Sequence, residues 1–291
     1  MKNWKMLCVL GFALVIAIAA VAADDPPLTF KFKKADVPGS VQTFPGGISN
    51  AGITVGQYQD KKGNLHGYML NGKTVTKVDH PKGSGSSVSN IQYNGTDVVG
   101  VYTNTNGVSV GFLYNGTKFT NIPGPKGSTG SSANAVNDMD EVVGNYFDSA
   151  GNEHGFWLKA GKYKTLDVPG ASASVATGIN NKEHIVLYWL DSAGNVESSL
   201  YNGKKKYTAL NVTGALDSYA LDLNNKDSVT FEWIDSGGAA HGALLDGGTY
   251  YTFDYPGSSL TYAGGANDKK KIAGGYVGSD GNYHGYTASY K

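Results

Sequence analysis

The chain has 291 residues, 41 of them glycine and 19 tyrosine, and its 24 acidic residues match 24 basic ones, every one a lysine. Without arginine it lacks the side chain that reads phosphate bidentately, and no basic balance replaces it, so nucleic acid is not a predicted partner. Many glycines and tyrosines with few long apolar runs point to short strands joined by tight turns.

The chain opens MKNWKMLCVLGFALVIAIAAVAADD. Lys2 and Lys5 precede an apolar run ending in Ala20, Val21, Ala22 and Ala23, which reads as a signal peptide, residues 1–23, cleaved near residue 22 or 23. The run is shorter than the roughly 20 apolar residues of a membrane span, and no other segment is long or apolar enough to make one. Cys8, the sole cysteine, leaves with the leader, so the mature chain has no disulfide. Residues 24–291, with 22 lysines against 24 acids, are expected to form one secreted or periplasmic domain held by packing alone.

From residue 29 onward the chain repeats. A His-Gly-aromatic piece recurs in register at His66, Val110, His154, Glu197, His241 and His284, with steps of 44, 44, 43, 44 and 43 residues. Each unit has four strand-like pieces. The first carries a Ser/Thr column, read as Thr43, Ser87, Ser131, Ser174, Ser218 and Thr261. The second carries an aromatic column of Tyr58, Tyr102, Tyr146, Trp189, Trp233 and Tyr276; the third is the His-Gly piece, and the fourth ends in Asp or Asn before a Pro-Gly turn. Asn71-Gly72, Asn115-Gly116, Asn202-Gly203 and Asp246-Gly247 are expected as type I′ hairpins, with another turn type at Ala160-Gly161. The runs Lys204-Lys205-Lys206 and Lys269-Lys270-Lys271 read as solvated turns or edge-strand protection rather than as a binding patch.

Four-strand units of this length are the signature of propeller blades. The last unit stops after its third strand, and TFKFKKADVPG, residues 29–39, matches the fourth strand TYYTFDYPG, residues 249–257. The expected fold is therefore an all-β, six-bladed propeller with four strands per blade, its last blade closed by the N-terminal strand. The blades fall at about 40–82, 83–126, 127–170, 171–214, 215–257, and 258–291 with 29–39. The unit GINNKEHIVLYWLDSAGNVESSLYNGKKKYTALNVTG and its five relatives resemble the bacterial extracellular HAF-repeat proteins. That resemblance implies secretion and a repeat scaffold, and brings no established activity.

His66, His154, His241 and His284 occupy equivalent places in four blades, whereas a catalytic histidine needs one distinctive neighbourhood; they are assigned to the framework. The third strand lies too far from the axis for these rings to share a metal, and each Asp-x-x-Gly-Asn turn offers too few oxygens for calcium. No metal or cofactor is predicted. Neither a Gly-x-Ser-x-Gly elbow nor a phosphate-binding loop is present.

A symmetric scaffold gains a specific site where its symmetry breaks. In the column Gly47, Ile91, Ala135, Gly178, Asp222, Gly265, only Asp222 is charged, and in Gln57, Val101, Asn145, Tyr188, Glu232, Gly275, only Glu232 is. Glu197 replaces a histidine, and Trp189 and Trp233 replace tyrosines, so the candidate ligand-binding set is Asp222, Glu232, Glu197, Trp189 and Trp233, with no catalytic residue assigned. The reading is a monomeric, non-enzymatic scaffold binding a protein or glycan on the face that carries the loops after the fourth strands. The alternative is a carbohydrate-active hydrolase or lyase with a carboxylate site near the axis.

Overall fold

The computed structural model describes residues 28–204 and 206–291. The leader expected over 1–23, with Cys8, lies outside them, as does Lys205. Six antiparallel four-stranded sheets follow one another around an axis. Blade 1 is typical, with an inner strand Gln42–Ile48, then Thr54–Gln59, Leu65–Asn71 and the outer Thr74–Lys77. In the last blade, Leu260–Ala266, Lys271–Val277 and Tyr283–Tyr290 are completed by Phe30–Lys34, in register from Phe30 opposite Tyr290 to Lys34 opposite Tyr286. No described residue is helical, so no helix among them could cross a membrane.

Packing occurs between blades. Ala135, Val143 and Trp157 of blade 3 meet Ala176, Ile179, Ile185 and Leu187 of blade 4, and Val186 of blade 4 packs with Ala220, Leu223 and Phe231 of blade 5. Each sheet thus buries both faces against neighbours, which is why its second strand reads as a β-branched run. Every inner strand bulges at the same place, from Pro45/Gly47 in blade 1 to Ala263/Gly265 in blade 6. The extra residue re-aims the chain toward the axis. The glycine of the second strand makes room for the ring opposite it on the third, since a Cβ on Gly144 would lie 2.9 Å from Phe156. Leu187 and Phe231 take that place in blades 4 and 5, where the opposite residues are the small Ser199 and Ala243.

Two column assignments in blade 2 need correction. Its inner-strand hydroxyl is Ser86, which pairs with Tyr102 and accepts the His80 N–H at 2.9 Å, and the axial residue is Asn90, not Ile91. The hairpin over 92–97 has one residue more than its counterpart over 49–53, so a constant period misplaces the inner strand by one. The hydroxyl column does two jobs. Thr43, Ser86, Ser174, Ser218 and Thr261 each accept an N–H from the incoming loop, whereas Ser131 joins Gly111 N–H and Ile122 carbonyl of the preceding blade.

The hairpin turns also differ from expectation. Ala160 and Gly161 both have positive φ, 47° and 74°, the requirement of type I′, as do Gly247 and Gly248. Asn71 instead ends its strand opposite Thr74, so the central pair is Gly72-Lys73, with positive φ only at Gly72. The dipeptide was right for a turn but one residue out of phase.

Candidate functional site

In four blades the third-strand histidine lies between two aspartates. His66 Nδ1 meets Asp79 at 2.8 Å and its Nε2 meets Asp60 at 3.3 Å. The same arrangement joins His154 to Asp167 and Asp148, His241 to Asp254 and Asp235, and His284 to Asp36 and Asp280. The first aspartate follows the fourth strand. The second opens the hairpin between strands two and three, where its other oxygen caps the turn, as Asp60 accepts the N–H groups of Lys62 and Asn64. Burial opposes protonation of His154 and His241, but hydrogen bonds and charge from Asp167 and Asp148, and from Asp254 and Asp235, outweigh it and raise both pKa values above 6.5. With both ring nitrogens engaged, these histidines brace loops on one face, as their repetition implies.

In the two exceptions the aspartate changes together with the histidine. Where Val110 replaces the histidine, Pro123 stands in the aspartate's place, and His80 from the incoming loop donates its Nε2 hydrogen to Asn121 at 3.1 Å. Where Glu197 does, Asn211 donates its amide to that carboxylate and accepts the Ser198 N–H at 2.9 Å. Donor and acceptor have traded sides. Trp189 donates its indole N–H to Ser199 at 3.1 Å, and Trp233 stacks on His241 with centroids 4.7 Å apart. Glu197, Trp189 and Trp233 therefore sit in the framework column, outside the axial space.

Asp222 lies on the axis, 1% exposed. Its carboxylate accepts hydrogen bonds from the Leu223 and Ala266 N–H groups and from the side chains of Asn90 and Tyr93. Burial outweighs those bonds and holds the carboxyl up to about 8. The residues around it are small: a Cβ on Gly265 would come within 2.9 Å of Asp222 Oδ2, and one on Gly178 within 2.9 Å of its Cα. The post-bulge column therefore closes the channel, with Asp222 and Asn90 filling the gap left by Gly47, Gly178 and Gly265. Beyond this floor, Asn50, Asn94, Asp138, Asn181, Asn225 and Asp268 form a closed ring. Asp138 accepts amide protons from Asn94 and Asn181, each at 2.7 Å, and Asp268 from Asn50 and Asn225 at 2.8 and 3.0 Å. Backbone N–H groups complete the circuit, as Asp268 N–H donates to Asn50 at 2.9 Å.

On the other side of the floor the axis opens into a cavity of about 500 Å³. Phe44, Tyr188 and Tyr262 supply aromatic surface, while Gln57, Asn134, Asn145, Ser87 and Ser132 supply amides and hydroxyls. These come from the first halves of the inner strands and from the second strands beside them, so the mouth faces the Asp-x-x-Gly-Asn hairpins. Asn145 is held by Asn134 at 3.0 Å and by Glu153 at 2.7 Å. The strand that carries Asp222 contributes Leu221 to this wall and not Asp222 itself. Glu232 lines an adjoining lobe of about 310 Å³ with Phe44, Leu260, Tyr262 and Tyr283, where burial raises its pKa. The two carboxylates singled out by charge are thus placed apart, one in the floor and one at the mouth.

No protein-family model and no curated protein matches the sequence. Solved structures do. A mutant of Aleuria aurantia lectin, in complex with alpha-methyl-L-fucoside, superposes with a TM-score of 0.53 at 12% identity, over 89% of this chain and 96% of the lectin. SapL1 lectin, also with alpha-methyl fucoside, gives 0.53 at 12% over 83% and 90%, and TolB from Acinetobacter baumannii gives 0.53 at 12% over 88% and 65%. The likeness is one of fold. Another structure of the Aleuria lectin is described as a six-bladed β-propeller, which is the architecture found here.

Proposed function

We propose that this protein is a secreted carbohydrate-binding propeller that takes a neutral sugar into its axial cavity. The observation that carries the reading is the chemistry of that cavity: aromatic and aliphatic surface is interspersed with amides and hydroxyls, and among the described residues no charged side chain lines its main lobe. Its size suits one or two sugar units. Aromatic rings cover the C–H faces of a pyranose, and planar amides meet its hydroxyls in fixed directions. Fucoside complexes of similarly folded lectins support a glycan over a protein ligand. Secretion, and membership among the bacterial HAF-repeat proteins, follow from the leader and the repeat and belong to the same proposal.

Glycoside cleavage requires two carboxyl groups facing one bond. Among the described residues Glu232 is the single carboxylate lining the cavity and its lobe, which favours binding over hydrolysis or elimination. The test is a neutral-glycan screen on the wild type, Tyr188→Ala and Gln57→Ala. A ligand lost on both substitutions supports the reading, and a profile unaltered by either overturns it. Release of a shortened product would favour the enzyme.

A further inference from the structure

We propose that the crevice where the last blade meets the first is a second binding site, specific for an acidic polysaccharide strand. This inference does not depend on the axial cavity. The crevice encloses about 500 Å³ and is lined by Lys31, Lys33, Lys34, Lys73 and Lys271 against one acid, Asp36. Asp36 is already committed to Lys34 at 3.0 Å, to His284 at 2.9 Å and to the Gly285 N–H at 2.7 Å. No hydrogen bond or ion pair engages the other four ammonium groups among the described residues. In a chain whose charges balance, four uncompensated lysines in one crevice are a local concentration of positive potential.

The fold explains how they meet. Lys31 and Lys33 alternate on the closing strand, whose Phe30 and Phe32 pack the other way against Phe253 and Tyr255. Across the sheet, Lys31 pairs with Ser289 and Ser289 with Lys271, so the two lysines flank a hydroxyl. Lys271 Nζ reaches over Gly52 of blade 1, where an added Cβ would lie 3.8 Å away, and Lys73 comes from the turn after Gly72 on the same blade.

The spacing identifies the ligand class. Lys31 and Lys33 are two residues apart, roughly 7 Å along the strand, and Lys31 and Lys271 are two strands apart, roughly 10 Å. A single phosphate needs donors converging on one point, whereas charges distributed along a crevice match a polymer with a carboxylate on successive sugars. Thr287 and Ser289, opposite Lys33 and Lys31, add hydroxyls facing the same space. Exposed lysine–carboxylate contacts are individually weak and screened by salt, so affinity should depend on several contacts at once.

The experiment titrates fluorescent oligogalacturonate into full-length mature protein, with a neutral oligosaccharide of equal length and inorganic phosphate as competitors. The expected result is saturable binding that weakens at least tenfold from 50 to 300 mM NaCl, resists both competitors, and falls at least tenfold in Lys31→Gln/Lys33→Gln/Lys73→Gln/Lys271→Gln. Ser289→Glu, which sets a carboxylate between Lys31 and Lys271, should weaken it without removing a lysine, with an unfolding midpoint confirming that each variant folds. Tyr188→Ala should leave it intact. No saturable binding, equal binding by the lysine variant, or displacement by millimolar phosphate would overturn the assignment.

Discussion

Replacing Asp222 with asparagine should remove a pH dependence of stability that this one carboxyl imposes. In the unfolded chain it titrates near 3.8, and in the fold burial on the axis keeps it protonated to about 8. Between those values the native state holds a proton that the unfolded state has released, so raising the pH favours unfolding. The stabilisation is complete below pH 4 and is lost as the pH rises through 8. The slope is about 1.4 kcal/mol per pH unit, so from pH 5 to 8 the wild type should lose up to about 4 kcal/mol from this group, a large part of the roughly 5–15 kcal/mol holding a typical domain. Histidines whose pKa values are raised by aspartates, His154 and His241, contribute slopes of the same sign, but equally in both proteins. Urea unfolding of the wild type and Asp222→Asn at half-unit steps from pH 5 to 8.5 reads the difference directly. Absolute stability will also shift, because the amide's NH2 cannot accept a hydrogen bond where a carboxyl oxygen does. The slope is unaffected by that. Parallel stability–pH curves would show that Asp222 is ionised in the fold and would refute the closed floor described here.

Other consequences follow from the same geometry. His154→Ala should lower stability by about 1–2 kcal/mol, because it leaves Asp167 and Asp148 without a shared partner, while leaving sugar binding within twofold; urea unfolding and calorimetry check the two halves. In blade 4, Asn211→Asp should destabilise by facing Glu197 with a second carboxylate, and adding Glu197→His should recover the loss, with a coupling of about 1–2 kcal/mol in a double-mutant cycle. Asp268→Ala should cost about 2–3 kcal/mol, since two amides and the Asn225 N–H lose their acceptor, and a loss below 0.5 kcal/mol would show that the ring bears no load. Gly275→Ala would put a Cβ 2.4 Å from the Tyr262 ring, so the tyrosine must shift into the cavity. Weaker glycan binding with little change in unfolding midpoint is expected.

Much of the fold could be read from the sequence because each blade repeats the same solution. The His-Gly register located the third strands, and the match of residues 29–39 to residues 249–257 located the closing strand, which pairs with Tyr283–Tyr290. A column argument fails where one copy changes length. The extra residue within 92–97 hid Asn90, and with it the neutral partner of Asp222. Charge rarity drew attention to Asp222 and Glu232 correctly as exceptions, but rarity gives no direction, and one of them points into the floor. The cavity wall was harder still to see, because Phe44, Ser87, Ser132, Val175 and Tyr262 share a direction without sharing a chemistry. Asn137-Asp138, Asn180-Asn181, Asn224-Asn225 and Asn267-Asp268 were a repeated signal that hydropathy does not score. Amides meeting around an axis leave no mark on an apolar pattern.

That amide circuit also bears on why there are six blades. Reading around it gives Asn, Asn, Asp and then Asn, Asn, Asp, which places its two negative charges half a turn apart, each between two donors. A pattern of three stations closes without a fault only when the number of blades is a multiple of three. Duplicating one blade of this chain would set either three amides in succession or two carboxylates side by side, where the ring now alternates two amides with one carboxylate. The base of the propeller therefore keeps count, and does so through hydrogen-bond polarity, independently of how far each sheet twists.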